Sequence, residues 1–186
     1  EMRVRQLGIA GVFLFESSNR TDNRGFFVEA GKESVVEHAI GRAHRHAQTN
    51  HSRSAAGTLR GFRKEPWDKL IYVAHGTALC AVVDTRADSA DFGSWETVML
   101  GDAPGLRAQL FVPVGVSNAF YCLTEVDYIN VVSEEFRPHD RSGFVWDDPD
   151  IGVAWPDAAP ILSETDRDQP RLRTLFPDHP FFHNAL

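Results

Sequence analysis

Short apolar runs separated by turn residues dominate the middle of this chain, and their spacing limits what it can fold into. GVFLFES (11–17), GFFVEAG (25–31), KLIYVAHG (69–76), TALCAVVDTR (77–86), WETVML (95–100), AQLFVPVG (108–115), AFYCLTE (119–125) and VDYINVVSEEF (126–136) are rich in Val, Ile, Phe, Tyr and Thr. Side chains branched at Cβ and aromatic rings fit a pleated, half-buried surface, and runs of this length and spacing predict a sandwich or barrel. Gly76 in AHGTA predicts a tight hairpin, because glycine takes positive φ without a steric penalty. GDAPG (101–105) and VPVGVSNAF (112–120) predict two further bends between strands.

Helix is scarce. GKESVVEHAIG (31–41) sets Val35, Val36 and Ala39 on one face and Gly41 as a stop, which predicts one or two turns. Near the end, Ser163 stands three residues before Asp166, an N-cap pattern ahead of a short helix. The expected fold is therefore mainly β. It is a jelly-roll β-sandwich forming one domain over 1–186, closed by a small helical segment at 161–186.

Composition narrows the function class. A formal charge of -7 argues against unspecific nucleic-acid binding, while clustered arginines can still hold an anion inside an acidic protein. No run approaches the roughly 20 apolar residues of a membrane span, so no membrane partner is expected. Cys80 and Cys122 are the only cysteines, and each lies in an apolar run. Both are expected as buried free thiols in a reducing cytoplasm, because they lack the close spacing of a metal site.

Three stretches carry candidate chemistry. In TDNRGFFVEAG (21–31), Arg24 sits on a turn with Phe26, Phe27 and Glu29 behind it. That arrangement suits an arginine gripping a phosphate beside a stacking ring, and equally a surface turn feeding an edge strand. In QTNHSRS (48–54) and GTLRGF (57–62), Gln48, Asn50, Arg53 and Arg60 gather in a strand-turn-strand region, either around an anion or in a solvated loop. Lys69 opens an apolar strand, as a snorkelling edge lysine or as a cation aimed at a carbonyl oxygen. FVWDDPDIGVAWP (144–156) reads as an ordered loop that packs its indoles, and Asp166 is the one C-terminal carboxylate expected near a pocket.

Taken together, DNRGFFVE, QTNHSRSAAGTLRG, KLIYVAHG, FGSWETVML, FVPVGVSNAFY, WDDPDIGVAWP and LSETD resemble the dTDP-4-dehydrorhamnose 3,5-epimerase family, from about residue 5 to about residue 175. The resemblance implies a cupin-like jelly roll that forms a homodimer and holds a thymidine-diphosphate 4-keto sugar inside the barrel, without metal or organic cofactor. In that family an aspartate-held histidine removes a proton beside the ketone, a tyrosine serves as acid on the other face, and a lysine polarises the ketone. By resemblance, Arg24, Phe26 and Glu29 match residues of the nucleotide end, and Gln48, Asn50 and Arg60 match diphosphate and sugar contacts. Lys69 matches the polarising lysine, and Asp166 the aspartate.

Three positions depart from the pattern. Arg63 stands where the family has its histidine, Asn130 where it has its tyrosine, and Asn118 where a histidine usually follows the Pro-x-Gly turn. Arginine stays protonated, so Arg63 is no base at neutral pH; it is expected either as a salt-bridge partner of Asp166 or as a fixed positive charge in the pocket, and its direction toward the cavity, Asp166 or Glu65 stays open. Tyr128 precedes Asn130 by two residues and shares its strand face, as a displaced acid or a core tyrosine. The main expectation is a nucleotide-sugar epimerase or isomerase with an altered proton-transfer set. Two other readings stay open. One is a repurposed barrel enzyme that cyclises or isomerises a carbonyl-rich, polyketide-like metabolite, and the other is a catalytically silent binding protein.

Overall fold

A computed structural model describes residues 1–183, so the last residues of the helical segment expected at 161–186 lie outside the described residues. Its strands are β1 (Arg3–Gln6), β2 (Phe13–Glu16), β3 (Asn19–Asp22), β4 (Gly25–Val28), β5 (Gln48–Ser54), β6 (Leu59–Arg63), β7 (Lys69–His75), β8 (Thr77–Asp84), β9 (Trp95–Gly101), β10 (Ala108–Val112), β11 (Val116–Cys122) and β12 (Val126–Val132). The helices are α1 (Glu33–Ile40), α2 (Glu164–Arg167) and α3 (Leu172–Leu175). No helix among the described residues is long and apolar enough to cross a membrane.

One sheet has the order β1-β2-β10-β7-β12-β5, a second has β6-β11-β8-β9, and β3 and β4 pair as a separate hairpin. All the strand pairings are antiparallel. From β5 to β12 the chain changes sheet at every connection except β8 to β9, which gives the alternating course of a jelly roll. This corrects the hairpin expected at Gly76. Gly76 has φ +81°, but the strands on either side of it belong to different sheets, so the turn is a corner. A Cβ on Gly76 would lie 1.9 Å from the Glu125 carbonyl oxygen, so the close backbone approach itself demands glycine.

Alternation sorts each strand. Ile71, Val73, Cys80, Val82, Leu110 and Cys122 fill the space between the sheets. Cys80 and Cys122 are both buried free thiols, as expected, and burial pushes the Cys122 thiol up to about 11. Outward-facing Phe62, Ala81, Val83 and Ala119 of the smaller sheet are covered by Phe144, Ile151 and Leu172 from the C-terminal segment. Phe62 and Phe144 stack at 4.5 Å, and Trp155 joins them while its Nε1 donates to the Trp146 carbonyl. Helix α1 lies against the outer face of the larger sheet, where Val36 packs with Phe15, Leu70 and Phe111, and Gly41 ends it with φ +72°.

Strand β6 does not keep the simple alternation. Its register against β11 shifts between Asn118 and Phe120, and this bulge lets Arg60 and Arg63, three residues apart, both face the interior. Gly61 makes the shift possible: its φ is +124°, and a Cβ there would meet Ala119 Cβ at 2.5 Å and the Asn118 carbonyl oxygen at 2.8 Å. Gly61→Ala is therefore expected to lower stability by about 2 kcal/mol or more. Thermal unfolding checks this: a fall in Tm of about 5 °C or more supports it, and an unchanged Tm refutes it.

Candidate active site

Toward the edges formed by β5 and β6 the interior turns polar. Two cross-strand pairs frame that end: Asn118 opposite Arg63 on the smaller sheet, and Asn130 opposite Asn50 on the larger one. Between them lies a cavity of about 310 Å³, lined by Asn50, His51, Ser52, Arg60, Gly61, Arg63, Glu65, Lys69, Asn118, Phe120, Tyr128, Asn130, Arg141, Ser163 and Asp166.

Lys69 is the most constrained of these, since the residue is only 1% exposed. Its Nζ donates to Asn118 Oδ1 at 2.6 Å and lies 3.1 Å from Glu65 Oε2. Trp67 Nε1 donates to the same Glu65 oxygen at 3.0 Å. Burial lowers the Lys69 pKa, and the Glu65 carboxylate pulls it back up. Asn118 then passes the network on, its Nδ2 donating to Tyr128 Oη at 3.4 Å. The Tyr128 ring stacks on Phe120 at 3.9 Å, and burial holds its hydroxyl protonated well above the usual tyrosine range. Tyr128 is thus both of the things expected of it, a packed core ring and a hydroxyl at the cavity.

Of the alternatives open for Arg63, the ion pair with Asp166 is the one formed, with the Asp166 side chain 3% exposed and that of Arg63 21% exposed. The Gly61 N–H donates to Asp166 Oδ2 at 3.3 Å, and the Asp166 N–H is itself capped by Ser163 Oγ at 3.1 Å, as the N-cap pattern predicts. Asn130 Oδ1 is buried and accepts no hydrogen bond among the described residues, so a ligand hydroxyl would find an acceptor there. Arg60 uses its Nε on Ser54 Oγ at 2.8 Å. Neither Arg60 nor Arg141 pairs with a carboxylate among the described residues, where no cluster of three metal-ligating side chains occurs either.

The candidate residues divide into two groups. Asn50, Arg60, Arg63, Lys69, Asn118, Tyr128, Asn130 and Asp166 all line the cavity. Gln48 does not line it but braces it, donating from Nε2 to Asn50 Oδ1 at 2.6 Å and accepting from the Phe136 N–H. Arg24, Phe26 and Glu29 do not line it. Arg24 pairs with Asp22 beside Phe26 in a separate depression on the β3–β4 hairpin, and Glu29 pairs with Lys32 at 2.8 Å. Arg53 turns outward onto Asp127 at 2.8 Å. Sequence reasoning did not place Glu65, Ser52, Phe120, Arg141 or Ser163 in the cavity. Glu65 lies four residues before Lys69, a spacing that by itself does not single it out.

The Arg63–Asp166 pair predicts a non-additive response. Arg63→Ala leaves a buried carboxylate without its counter-charge, at a loss of about 3 kcal/mol. Removing Asp166 as well, in Arg63→Ala/Asp166→Ala, is expected to recover most of that loss. Urea denaturation of the single and double variants measures it, and strictly additive losses would refute the coupling.

The comparisons agree with this geometry. The family profile described as dTDP-4-dehydrorhamnose 3,5-epimerase matches residues 6–174. A dTDP-4-dehydrorhamnose 3,5-epimerase of Methanothermobacter thermautotrophicus is 35% identical over 180 residues, covering 93% of this chain and 96% of the relative. Among solved structures, the 4-keto-6-deoxy sugar epimerase of the novobiocin biosynthetic gene cluster of Streptomyces spheroides superposes with a TM-score of 0.91 at 30% identity, over 95% of this chain and 90% of that one. A 3'-monoepimerase from Streptomyces bikiniensis, solved with dTDP-quinovose, gives a TM-score of 0.86 at 30% identity over 92% of this chain and 88% of that one. The chain belongs to the dTDP-4-dehydrorhamnose 3,5-epimerase family.

Proposed function

We propose that the protein is a nucleotide-sugar epimerase or isomerase. It takes a thymidine-diphosphate 4-keto-6-deoxy sugar into the cavity and moves a proton at a carbon beside the ketone. The observation that carries this reading is the placement of cations. A buried ammonium, Lys69, keeps one N–H free beyond those used on Asn118 and Glu65, as a ketone oxygen requires. Two guanidiniums without carboxylate partners, Arg60 and Arg141, line the same cavity and suit a diphosphate. Asn50, Ser52 and the unpartnered Asn130 Oδ1 supply polar contacts for sugar hydroxyls.

The same reading includes a homodimer. Phe26 and Phe27, on β4 behind the polar hairpin turn, are 48% and 68% exposed, an apolar surface suited to a second copy. With the hairpin of one chain laid against the cavity of its partner, Arg24, Phe26 and Glu29 reach the nucleotide end of the ligand.

Two measurements test the function. Millimolar thymidine diphosphate is expected to raise Tm, because a ligand that binds only the folded chain stabilises it. In deuterated water, a thymidine-diphosphate 4-keto-6-deoxy sugar is expected to gain deuterium at C3 or C5 when the protein is added. Absence of any Tm rise would sink the nucleotide-sugar reading, whereas a rise without exchange would favour a silent binding protein.

A further inference from the structure

Removing a proton beside a ketone requires a group that carries a free lone pair near neutral pH. The cavity offers few. Arg60, Arg63 and Arg141 stay protonated at any working pH. Asp166 is engaged by Arg63 and by the Gly61 N–H. His51 has a side chain 58% exposed, and its ring turns away with Arg53 onto Asp127, so it stands at the rim rather than beside Lys69. Lys69 donates to two acceptors and serves as the cation, and the Tyr128 hydroxyl keeps its proton. The remaining group is Glu65.

Glu65 is also oriented for the task. Lys69 Nζ and Trp67 Nε1 both hold its Oε2, at 3.1 and 3.0 Å, while its Oε1 accepts no hydrogen bond among the described residues. Its side chain is 11% exposed, in the wall of the cavity, and the lysine that grips it is the one set to hold the ketone oxygen. One oxygen is thus fixed by two donors from its own chain segment, and the other is left without a partner among the described residues.

We propose that Glu65 is the general base of this site, in place of a base at position 63. The inference rests on the epimerase or isomerase reading above. The proton leaves the carbon beside the ketone for Glu65 Oε1. The C–H electron pair becomes the carbon–carbon double bond of an enolate, and the carbonyl π pair moves onto the oxygen facing Lys69. A proton then returns to the carbon, either from Glu65 itself or from water, in which case the hydroxide formed takes the proton held by Glu65, and the double bond reverts to the ketone. No oxidant or reductant is consumed.

The test follows deuterium uptake by the sugar in wild type, Glu65→Gln and Glu65→Asp, alongside the Tm rise with thymidine diphosphate. Glu65→Gln is expected to slow exchange about 100-fold or more while keeping the nucleotide-induced Tm rise, and Glu65→Asp to retain more exchange than Glu65→Gln. Exchange by Glu65→Gln within about threefold of wild type would overturn the assignment. Because Glu65→Gln strips Lys69 of its counter-charge and can unfold the chain, Glu65→Asp, which keeps that charge, gives an independent readout. It withdraws the carboxylate by one methylene, so exchange is expected to fall about tenfold or more while the Tm rise is kept. Exchange by Glu65→Asp within about threefold of wild type refutes Glu65. Nucleotide binding without exchange in wild type overturns this assignment together with the functional reading, whereas a chain that exchanges normally in the Gln variant overturns the assignment alone.

Discussion

An ammonium group buried to 1% exposure organises this molecule's polar interior. Lys69 opens β7 in the middle of the larger sheet, and its charge is tolerated because Glu65 from the β6–β7 connection and Asn118 from the opposite sheet meet it. The two sheets are therefore joined at this end by a hydrogen-bonded charge beside the stacked rings of Phe120 and Tyr128. Burying an ion without partners is severely unfavourable, so Glu65 and Asn118 are as much structural requirements as site residues. The depressed Lys69 pKa records the remaining imbalance: desolvation still outweighs the attraction of Glu65. In the pH range between its folded and unfolded pKa the unfolded chain binds more protons at this group, so the fold gains stability there as pH rises.

Arg63 solves a second problem in the same space. Asp166 is fixed by the start of α2 and by the Gly61 N–H, so a carboxylate is buried there whatever stands at position 63. A guanidinium neutralises it permanently, where a titrating partner would do so only when protonated. The cavity thereby holds two internally neutral pairs, Arg63 with Asp166 and Lys69 with Glu65, plus the two uncompensated cations Arg60 and Arg141. That residual charge favours a dianionic ligand inside a chain whose net charge is -7.

Much of this was legible before the structure, and the failures have physical causes. Runs such as KLIYVAHG and TALCAVVDTR became β7 and β8 because alternation and branched side chains signal one buried face. β1, RVRQ, and β3, NRTD, were not foreseen as strands: they are polar segments at a sheet margin and in a hairpin, held by backbone pairing that composition does not reveal. Gly76 was expected in a hairpin because positive φ serves a hairpin and a sheet-crossing corner alike, and only the partner strands distinguish them. In the site, Arg63, Lys69, Asn130 and Asp166 were legible through the family resemblance. Glu65 was not, because its significance comes from Trp67 and Lys69 gripping one of its oxygens, a relation set by how the β6–β7 connection folds.

The displaced base also bears on how charge is handled during reaction. An enolate places new negative charge on the ketone oxygen, and its stabilisation depends on donors already aimed at that point in a poorly hydrated space. Here the proton's acceptor and the oxygen's donor are linked directly, Glu65 to Lys69. As Glu65 takes the proton it loses its negative charge, and Lys69, released from that attraction, interacts more strongly with the oxygen that has just become negative. Charge moves from carboxylate to enolate across a single ammonium, and the net charge of the cluster is unchanged. An arginine at position 63 takes no part in this exchange, because its guanidinium is already matched by Asp166. The chain can therefore lack the family's histidine at that position without leaving the enolate unpaired.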